Sequence, residues 1–189
     1  MLSALVGLTR PLNCLITACS VAVGALTAGV AVNSFTLVVA GLSAALIAAF
    51  GNCHNDLKDL EIDRVNRPRR PLPSGHVSPR FAAVECALLG VMGLSLAWWL
   101  GHWTGIIASA VVVGLLLYNV SLKSSLLWGN ITVSGIAAAA FPYGAIAAGS
   151  WGRSWIPAAF ALLFHLSREI IKKLKNLYIS NVVSDQDIL

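Results

Sequence analysis

Charged residues are scarce in this sequence of 189 residues. Asp, Glu, Lys and Arg make up 11% of it, whereas a soluble globular domain usually contains about 25%. Hydrophobic residues make up 57%. This composition excludes an ordinary soluble domain and predicts an α-helical integral membrane protein surrounded by membrane lipid.

The cysteines give no sign of a metal centre. Cys14, Cys19, Cys53 and Cys86 lack the paired spacing of a zinc site. Three of them lie within or at the ends of apolar stretches, which is typical of small buried side chains. We therefore interpret the cysteines as packing residues.

Long apolar stretches predict the fold class. A membrane-spanning helix needs about 20 mostly apolar residues. Six stretches meet this need when short polar turns divide the longest runs. The predicted spans are residues 12–31, 35–52, 81–100, 103–121, 127–149 and 154–172. Gly, Ala and Ser are frequent within them and allow close helix contact in lipid. We expect an all-α membrane protein, a bundle of about six transmembrane helices.

The basic residues predict the orientation of this bundle. If the N-terminus is cytoplasmic, every Lys and Arg except Arg153 falls on the cytoplasmic side of the six-span topology. This asymmetry is the positive-inside pattern. It also accounts for the net charge of +5, so no nucleic-acid partner is expected.

Half of the acidic residues lie in one short segment, between Asn55 and Asp63. On a helix, Asp56, Asp59 and Asp63 share one face, and Asn55 lies one turn from Asp59. Carboxylates on one face repel each other unless a cation lies between them. Mg²⁺ prefers oxygen ligands and usually binds one or two carboxylates together with substrate phosphates. The segment therefore predicts a Mg²⁺ site, and the alternative is a solvated loop whose acids balance nearby arginines.

A basic, proline-rich segment follows the acids directly. Prolines at 68, 71 and 73 restrict the backbone over residues 66–75. This stiffness would hold arginines over the acids, where they meet the charge that develops on a leaving diphosphate. The candidate cations are Lys58, Arg64, Arg67 and Arg70. Ser78 and Pro79 are predicted to cap and begin the next helix.

These two segments together resemble a known family. Asn55-Asp56-x-x-Asp59-x-x-x-Asp63 followed by Asn66-Arg67-Pro68-x-Arg70-Pro71-Leu72-Pro73-Ser74-Gly75 is similar to the first signature of the UbiA-type intramembrane prenyltransferases. Shorter stretches agree with it, namely Arg10-Pro11-x-Asn13, Tyr118 with Leu122-Lys123, Gly129-Asn130-x-x-Val133 and Ser167 to Lys172. Within that family, the set is most similar to digeranylgeranylglyceryl phosphate synthases.

The resemblance implies a reaction and a set of site residues. The reaction is Mg²⁺-dependent transfer of a prenyl group, geranylgeranyl in the most similar members, from its diphosphate to a lipid glycerol phosphate. Asn55, Asp56, Asp59 and Asp63 would hold Mg²⁺, and the three aspartates would be catalytic. The implied substrate contacts are Asn55, Lys58, Arg64, Arg67, Arg70, Lys123, Asn13 and Tyr118.

The sequence departs from the family pattern after the sixth span. Family members have about nine spans and a second acidic motif at this point, where Lys173 and Asn176 stand in this chain. We therefore expect an incomplete prenyltransferase domain over residues 1–172, truncated after the sixth span, and a divergent tail over 173–189. Three alternatives stay open: transfer to an aromatic acceptor of quinone, haem or chlorophyll synthesis, an inactive remnant, and a small transporter subunit.

Overall fold

The computed structural model describes residues 2–123, 125 and 127–186, which form eight α-helices and one short π-helix. The α-helices are α1 (Leu2–Thr9), α2 (Pro11–Leu26), α3 (Ser34–Lys58), α4 (Leu60–Asn66), α5 (Pro79–Leu100), α6 (His102–Leu117), α7 (Trp128–Ala147) and α8 (Trp155–Gln186). The π-helix, Tyr118–Leu122, follows α6 directly. Within these residues the fold is entirely helical, as the composition predicts.

A helix lies at each of the six predicted spans: α2, α3, α5, α6, α7 and α8. Among the described residues, four helices are long and apolar enough to cross a membrane: α3, α5, α7, and α6 extended by the π-helix. Helix α2 is apolar but shorter. Helix α8 continues beyond the predicted span to Gln186, and residues 187–189 of the predicted tail lie outside the described residues.

Polar side chains cap the N-termini of two of the long helices. The side chain of Asn33 accepts a hydrogen bond from the backbone N–H of Phe35 at 2.8 Å, at the start of α3. Ser78 accepts from the N–H of Phe81 at 3.3 Å, and Pro79 is the first residue of α5. These caps satisfy N–H groups that a helix leaves unpaired at its start. The predicted cap at Ser78 is confirmed.

Five helices close into a ring. Helix α3 packs against α2 and α5, α7 packs against α2 and α6, and α5 packs against α6. Helix α8 packs on α7. Four of these helices carry buried alanines, whose small side chains allow the helix backbones to approach closely in lipid. These are Ala40, Ala97, Ala108 and Ala145. The ring encloses the space in which the candidate site lies.

One end of the bundle is covered by α1, α4 and the proline-rich segment. Leu8 of α1 is buried in one cluster with Leu72 of that segment and with Val77, which follows the segment. Phe50 and Cys53 of α3 belong to the same cluster. These apolar contacts anchor the proline-rich segment beside the last turns of α3, which carry the acidic motif.

Candidate functional site

Two arginines and two aspartates form an ion-pair cluster at the end of α3. Arg70 Nη1 donates to Asp56 Oδ1 at 3.2 Å and to Asp63 Oδ2 at 2.6 Å. Arg10, which precedes α2, pairs with the same oxygen of Asp56. Both aspartates are buried, with 5% exposure each. Buried carboxylates are costly without a partner, so the two arginines make their burial possible.

A second group of polar side chains surrounds Asp59. Asn55 Nδ2 donates to Asp59 Oδ2 at 3.1 Å. Lys123, at the end of the π-helix, pairs with the same carboxylate and donates to Asn55 Oδ1 at 3.2 Å. Because Asn55 precedes Asp56 on α3, this group lies directly beside the arginine cluster. The two groups together make a charged site at one end of the bundle.

The acids lie where α3 passes into α4 at Asp59. Helix α3 ends at Lys58, Asp59 has φ −89° and ψ 3°, and α4 begins at Leu60. The N–H of Asp59 still bonds to Asn55 O, and the N–H of Asp63 to Asp59 O. The helical repeat is therefore kept through Asp59, although the three aspartates have different partners. Asp56 and Asp63 share Arg70, whereas Asp59 meets Lys123.

The structure brings some of the predicted cations to the acids and leaves others outside. Arg70 and Lys123 contact the aspartates directly. Arg64 pairs with Glu61, at 2.8 Å, on the exposed side of α4. Lys58 and Arg67 are exposed and do not line the neighbouring cavity. Arg70, which lies two residues before the buried Leu72, is the member of this basic segment that reaches the acids.

A cavity of ≈ 620 Å³ extends from this charged site into the bundle. Its volume falls within the roughly 300–1,000 Å³ usual for small-molecule sites. Polar lining residues near the charged site include Arg10, Asn13, Asn52, Asn55, Tyr118 and Asn119, and Thr17, Ser20, Tyr143, His165 and Arg168 also line the cavity. Deeper in the bundle the wall is mostly apolar and includes Ala44, Ile47, Ile107, Val111, Ala140 and Phe141. The cavity thus has a polar end and an apolar interior.

Several lining residues were not among the candidates from sequence. Asn119 of the π-helix is hydrogen-bonded to His54 Nδ1 at 2.9 Å, and the ring of His54 stacks on Phe50. Asn52 donates to the carbonyl of Thr9 at 2.9 Å. Arg10 belongs to a stretch that carries the resemblance, which was the only signal for it. Residue spacing does not indicate the Asn119–His54 and Asn52–Thr9 contacts, because each joins distant segments.

The oxygen-bearing side chains suit Mg²⁺ that arrives with a phosphorylated ligand. Within the described residues, no group of three or more His, Cys, Asp or Glu side chains lies close enough to hold a metal ion. Asp56 and Asp63 converge on one arginine nitrogen, and Asn55 lies against Asp59. Mg²⁺ usually binds one or two carboxylates and completes its shell with water and substrate phosphates. The donor set fits that mode of binding.

Comparison with known proteins gives consistent relatives. The model of the UbiA prenyltransferase family matches residues 15–177. Digeranylgeranylglyceryl phosphate synthase of Thermococcus kodakarensis is 34% identical over 175 residues, which cover 92% of this chain and 63% of the relative. The synthase of Methanopyrus kandleri is 39% identical over 173 residues, covering 89% of this chain and 62% of the relative. The chain thus spans a little under two thirds of the length of these relatives.

Solved structures agree on the fold. A structure of digeranylgeranylglyceryl phosphate synthase superposes with a TM-score of 0.87 at 28% identity, covering 94% of this chain and 64% of that one. A UbiA homolog from Archaeoglobus fulgidus, bound to GPP and Mg²⁺, superposes with a TM-score of 0.70 at 18% identity. That superposition covers 95% of this chain and 74% of the homolog. At this identity the second match supports the fold alone.

Proposed function

The chain belongs to the UbiA prenyltransferase family, and from this membership we propose that it transfers a prenyl group from its diphosphate to the glycerol phosphate of a lipid. One observation carries the proposal: a single cavity joins a cluster of paired charges to an apolar interior. A prenyl diphosphate has the same division, with a charged head and an apolar tail. The similarity to digeranylgeranylglyceryl phosphate synthases supports geranylgeranyl as the donor group and a lipid glycerol phosphate as the acceptor.

The charged end would receive the diphosphate. Three aspartates there are already paired with three cations, Asp56, Asp59 and Asp63 with Arg10, Arg70 and Lys123, and Arg168 lines the same cavity. An additional anion in this partly buried site needs additional positive charge, because uncompensated charges are costly away from water. Bound Mg²⁺ would supply that charge and stabilise the diphosphate as a leaving group. Its ligands from the protein would be Asn55, Asp56, Asp59 and Asp63.

The same cations would then change partners. When the carboxylates turn to the metal ion, Arg10, Arg70 and Lys123 become available to donate to diphosphate oxygens. The bond between the prenyl carbon and the diphosphate oxygen breaks, and its electron pair stays with the diphosphate. The acceptor hydroxyl oxygen forms the new bond to carbon, and its proton passes to the departing diphosphate or to water. Fixed cations near the departing oxygens lower the energy of this step.

The apolar wall would keep water from the electron-poor prenyl carbon. Ile47, Ile107 and Val111 line the cavity below the charged end and carry no group able to attack carbon. Exclusion of water favours transfer to the acceptor over hydrolysis. The one-sided distribution of Lys and Arg supports a cytoplasmic location for the charged end. The diphosphate would therefore enter from the cytoplasm and the tail would lie within the membrane.

The proposal is tested with purified protein in lipid nanodiscs. Mg²⁺, geranylgeranyl diphosphate and geranylgeranylglyceryl phosphate are supplied, and the ether product is measured by mass spectrometry. Binding of the radiolabelled donor is measured in parallel, with and without EDTA, so that the donor site is assessed separately from turnover. We expect Mg²⁺-dependent binding and product with the glycerol phosphate acceptor. Product with 4-hydroxybenzoate in its place would indicate an aromatic acceptor, and absence of Mg²⁺-dependent donor binding would contradict the proposal.

A further inference from the structure

We propose that Tyr143 closes the apolar end of the cavity and determines the longest prenyl chain that the donor site accepts. This inference rests on the proposed function and adds a specificity-determining residue to it. Three features of the structure support it: the depth of Tyr143, the hydrogen bonds that fix its ring, and the tight helix crossing beside it.

Tyr143 lies far from the charged end of the cavity. It contributes to the cavity wall and is itself buried, with 4% exposure. Its hydrogen-bond partner Ser43 precedes Asp56 by 13 residues on α3. At a rise of 1.5 Å per residue, this separation places Ser43 about 20 Å along the helix from the acid. A prenyl tail that starts at the charged end therefore reaches Tyr143 last.

Hydrogen bonds hold the Tyr143 side chain in position. Its hydroxyl donates to Ser43 Oγ at 2.9 Å, and Ser43 Oγ donates to the carbonyl of Gly93 at 2.7 Å. The chain of bonds links α7 to α3 and α3 to α5. Water is excluded from the middle of a membrane, so these groups lack an alternative partner there. The ring is consequently a fixed part of the wall.

A close crossing of α2 and α7 blocks the space beside Tyr143. A Cβ on Gly24 would lie 2.0 Å from the carbonyl oxygen of Phe141, and one on Gly144 would lie 2.0 Å from that of Val21. The helix backbones are therefore in direct contact at this depth. On α2 the residues that line the cavity extend no deeper than Ser20. A prenyl chain cannot continue between these helices.

Between Tyr143 and the charged end, the cavity wall formed by α7 leaves space for a prenyl tail. Ala137 and Ala140 line the cavity one to two turns nearer to the charged end. Their side chains are small, so a tail can lie along this part of the helix. A larger side chain at position 140 should shorten the part of the cavity that a prenyl tail can occupy. Removal of the aromatic ring at position 143 should lengthen it. These opposite changes are the basis of the test.

The experiment measures dissociation constants for a series of prenyl diphosphates, from geranyl through farnesyl and geranylgeranyl to a chain one isoprene unit longer. Protein in nanodiscs with Mg²⁺ is compared with the variants Tyr143→Ala, Tyr143→Phe and Ala140→Leu. Gly135→Leu is the matched control, because a side chain at 135 points into open space on the same helix. Circular dichroism checks that each variant is folded.

We expect the parent protein to bind geranylgeranyl diphosphate best. Tyr143→Ala should improve binding of the longer chain, relative to geranylgeranyl, about tenfold or more, since one methylene in an apolar pocket is worth about 10–200-fold. Ala140→Leu should weaken geranylgeranyl binding about tenfold and leave geranyl binding unchanged. Tyr143→Phe, which keeps the ring, and Gly135→Leu should retain the preference of the parent.

Two results would overturn the inference and are distinguishable from each other. If the parent binds prenyl diphosphates and a folded Tyr143→Ala variant keeps the length preference of the parent, or Ala140→Leu leaves geranylgeranyl binding unchanged, Tyr143 does not determine chain length and the proposed function stands. If the parent binds no prenyl diphosphate, the proposed function fails together with the inference. Ala140→Leu removes none of the hydrogen bonds of Tyr143, so it tests the inference even if Tyr143→Ala does not fold.

Discussion

Arg70 and Asp63 are joined by a 2.6 Å hydrogen bond, and the same nitrogen of Arg70 also donates to Asp56 at 3.2 Å. The two aspartates belong to α4 and α3, so one arginine connects the two helices on either side of Asp59. The proline-rich segment thereby becomes part of the charged site. The stability of this end of the bundle and the geometry of the charged site are therefore linked.

Arg70→Ala should destabilise the fold by about 2 kcal/mol, because Asp63 loses a charged hydrogen-bond partner in a buried position. Arg64→Ala is the matched control in the same basic region. Arg64 pairs with Glu61 on the surface, where the two side chains are 56% and 79% exposed, and its loss should cost less than about 1 kcal/mol. Unfolding in detergent, followed by circular dichroism, compares the two. Equal losses would show that Arg70 does not tie α3 to α4.

Asp59→Ala should weaken Mg²⁺-dependent binding of geranylgeranyl diphosphate at least about tenfold, as loss of a group that supports a metal site commonly does. Asp59 pairs with Lys123 and accepts a hydrogen bond from Asn55, which lines the cavity. Glu61→Ala removes an acid two residues away that pairs on the surface with Arg64, and it should bind the ligand as the parent does. Filter binding with the radiolabelled diphosphate gives both values. Unchanged binding by Asp59→Ala would remove it from the proposed metal site.

Single cysteines at Ser74 and Arg153 should be labelled from opposite sides of the membrane. Both positions are exposed in the structure, and Arg153 is the basic residue assigned to the non-cytoplasmic side. Replacing Arg153 strengthens the charge asymmetry, so the substitution itself does not favour inversion. The test uses a membrane-impermeant maleimide on a background in which the four native cysteines are replaced by alanine. Labelling of both positions from one side would refute the six-span topology.

Gly24→Ala and Gly144→Ala should each destabilise the bundle by about 1–3 kcal/mol, the usual cost of adding a methyl group to a fully packed contact. The added Cβ would lie 2.0 Å from a backbone carbonyl oxygen of the facing helix in both cases. Backbone atoms cannot move aside as a flexible side chain can. Gly135→Ala, on α7 but in open space, should cause no loss, since alanine favours the helix over glycine by about 1 kcal/mol. Thermal unfolding in nanodiscs distinguishes the three.

Much of the fold was predictable because its signals are local. Apolar stretches long enough to cross a membrane lie where the structure has helices, and Ser78 caps α5 as its position before Pro79 indicates. The short helices α1 and α4 were not predicted. They are too brief to stand out by apolar length, and α1 is held in place by burial of Leu8 against α3 and the proline-rich segment.

The candidate site was predictable in composition but not in geometry. The sequence placed Asn55, Asp56, Asp59 and Asp63 together, and residue spacing on an ideal helix gave the three acids one face. The partners of the acids were not predictable: Lys123 and Asn55 engage Asp59, while Arg70 engages Asp56 and Asp63. Whether these residues bind Mg²⁺ stays a prediction, which the Asp59 and Glu61 variants test.

The sequence by itself determined the membrane class, the helical fold, the concentration of charge at one end and the family signature, since composition and short-range spacing encode all four. Tertiary structure decided which charges meet and where the cavity ends. Arg10 reaches Asp56 across 46 residues, Lys123 reaches Asp59 across 64, and Tyr143 reaches Ser43 across 100. Contacts of this range depend on how helices pack and cross, and packing is a property of the assembled bundle that no local pattern records.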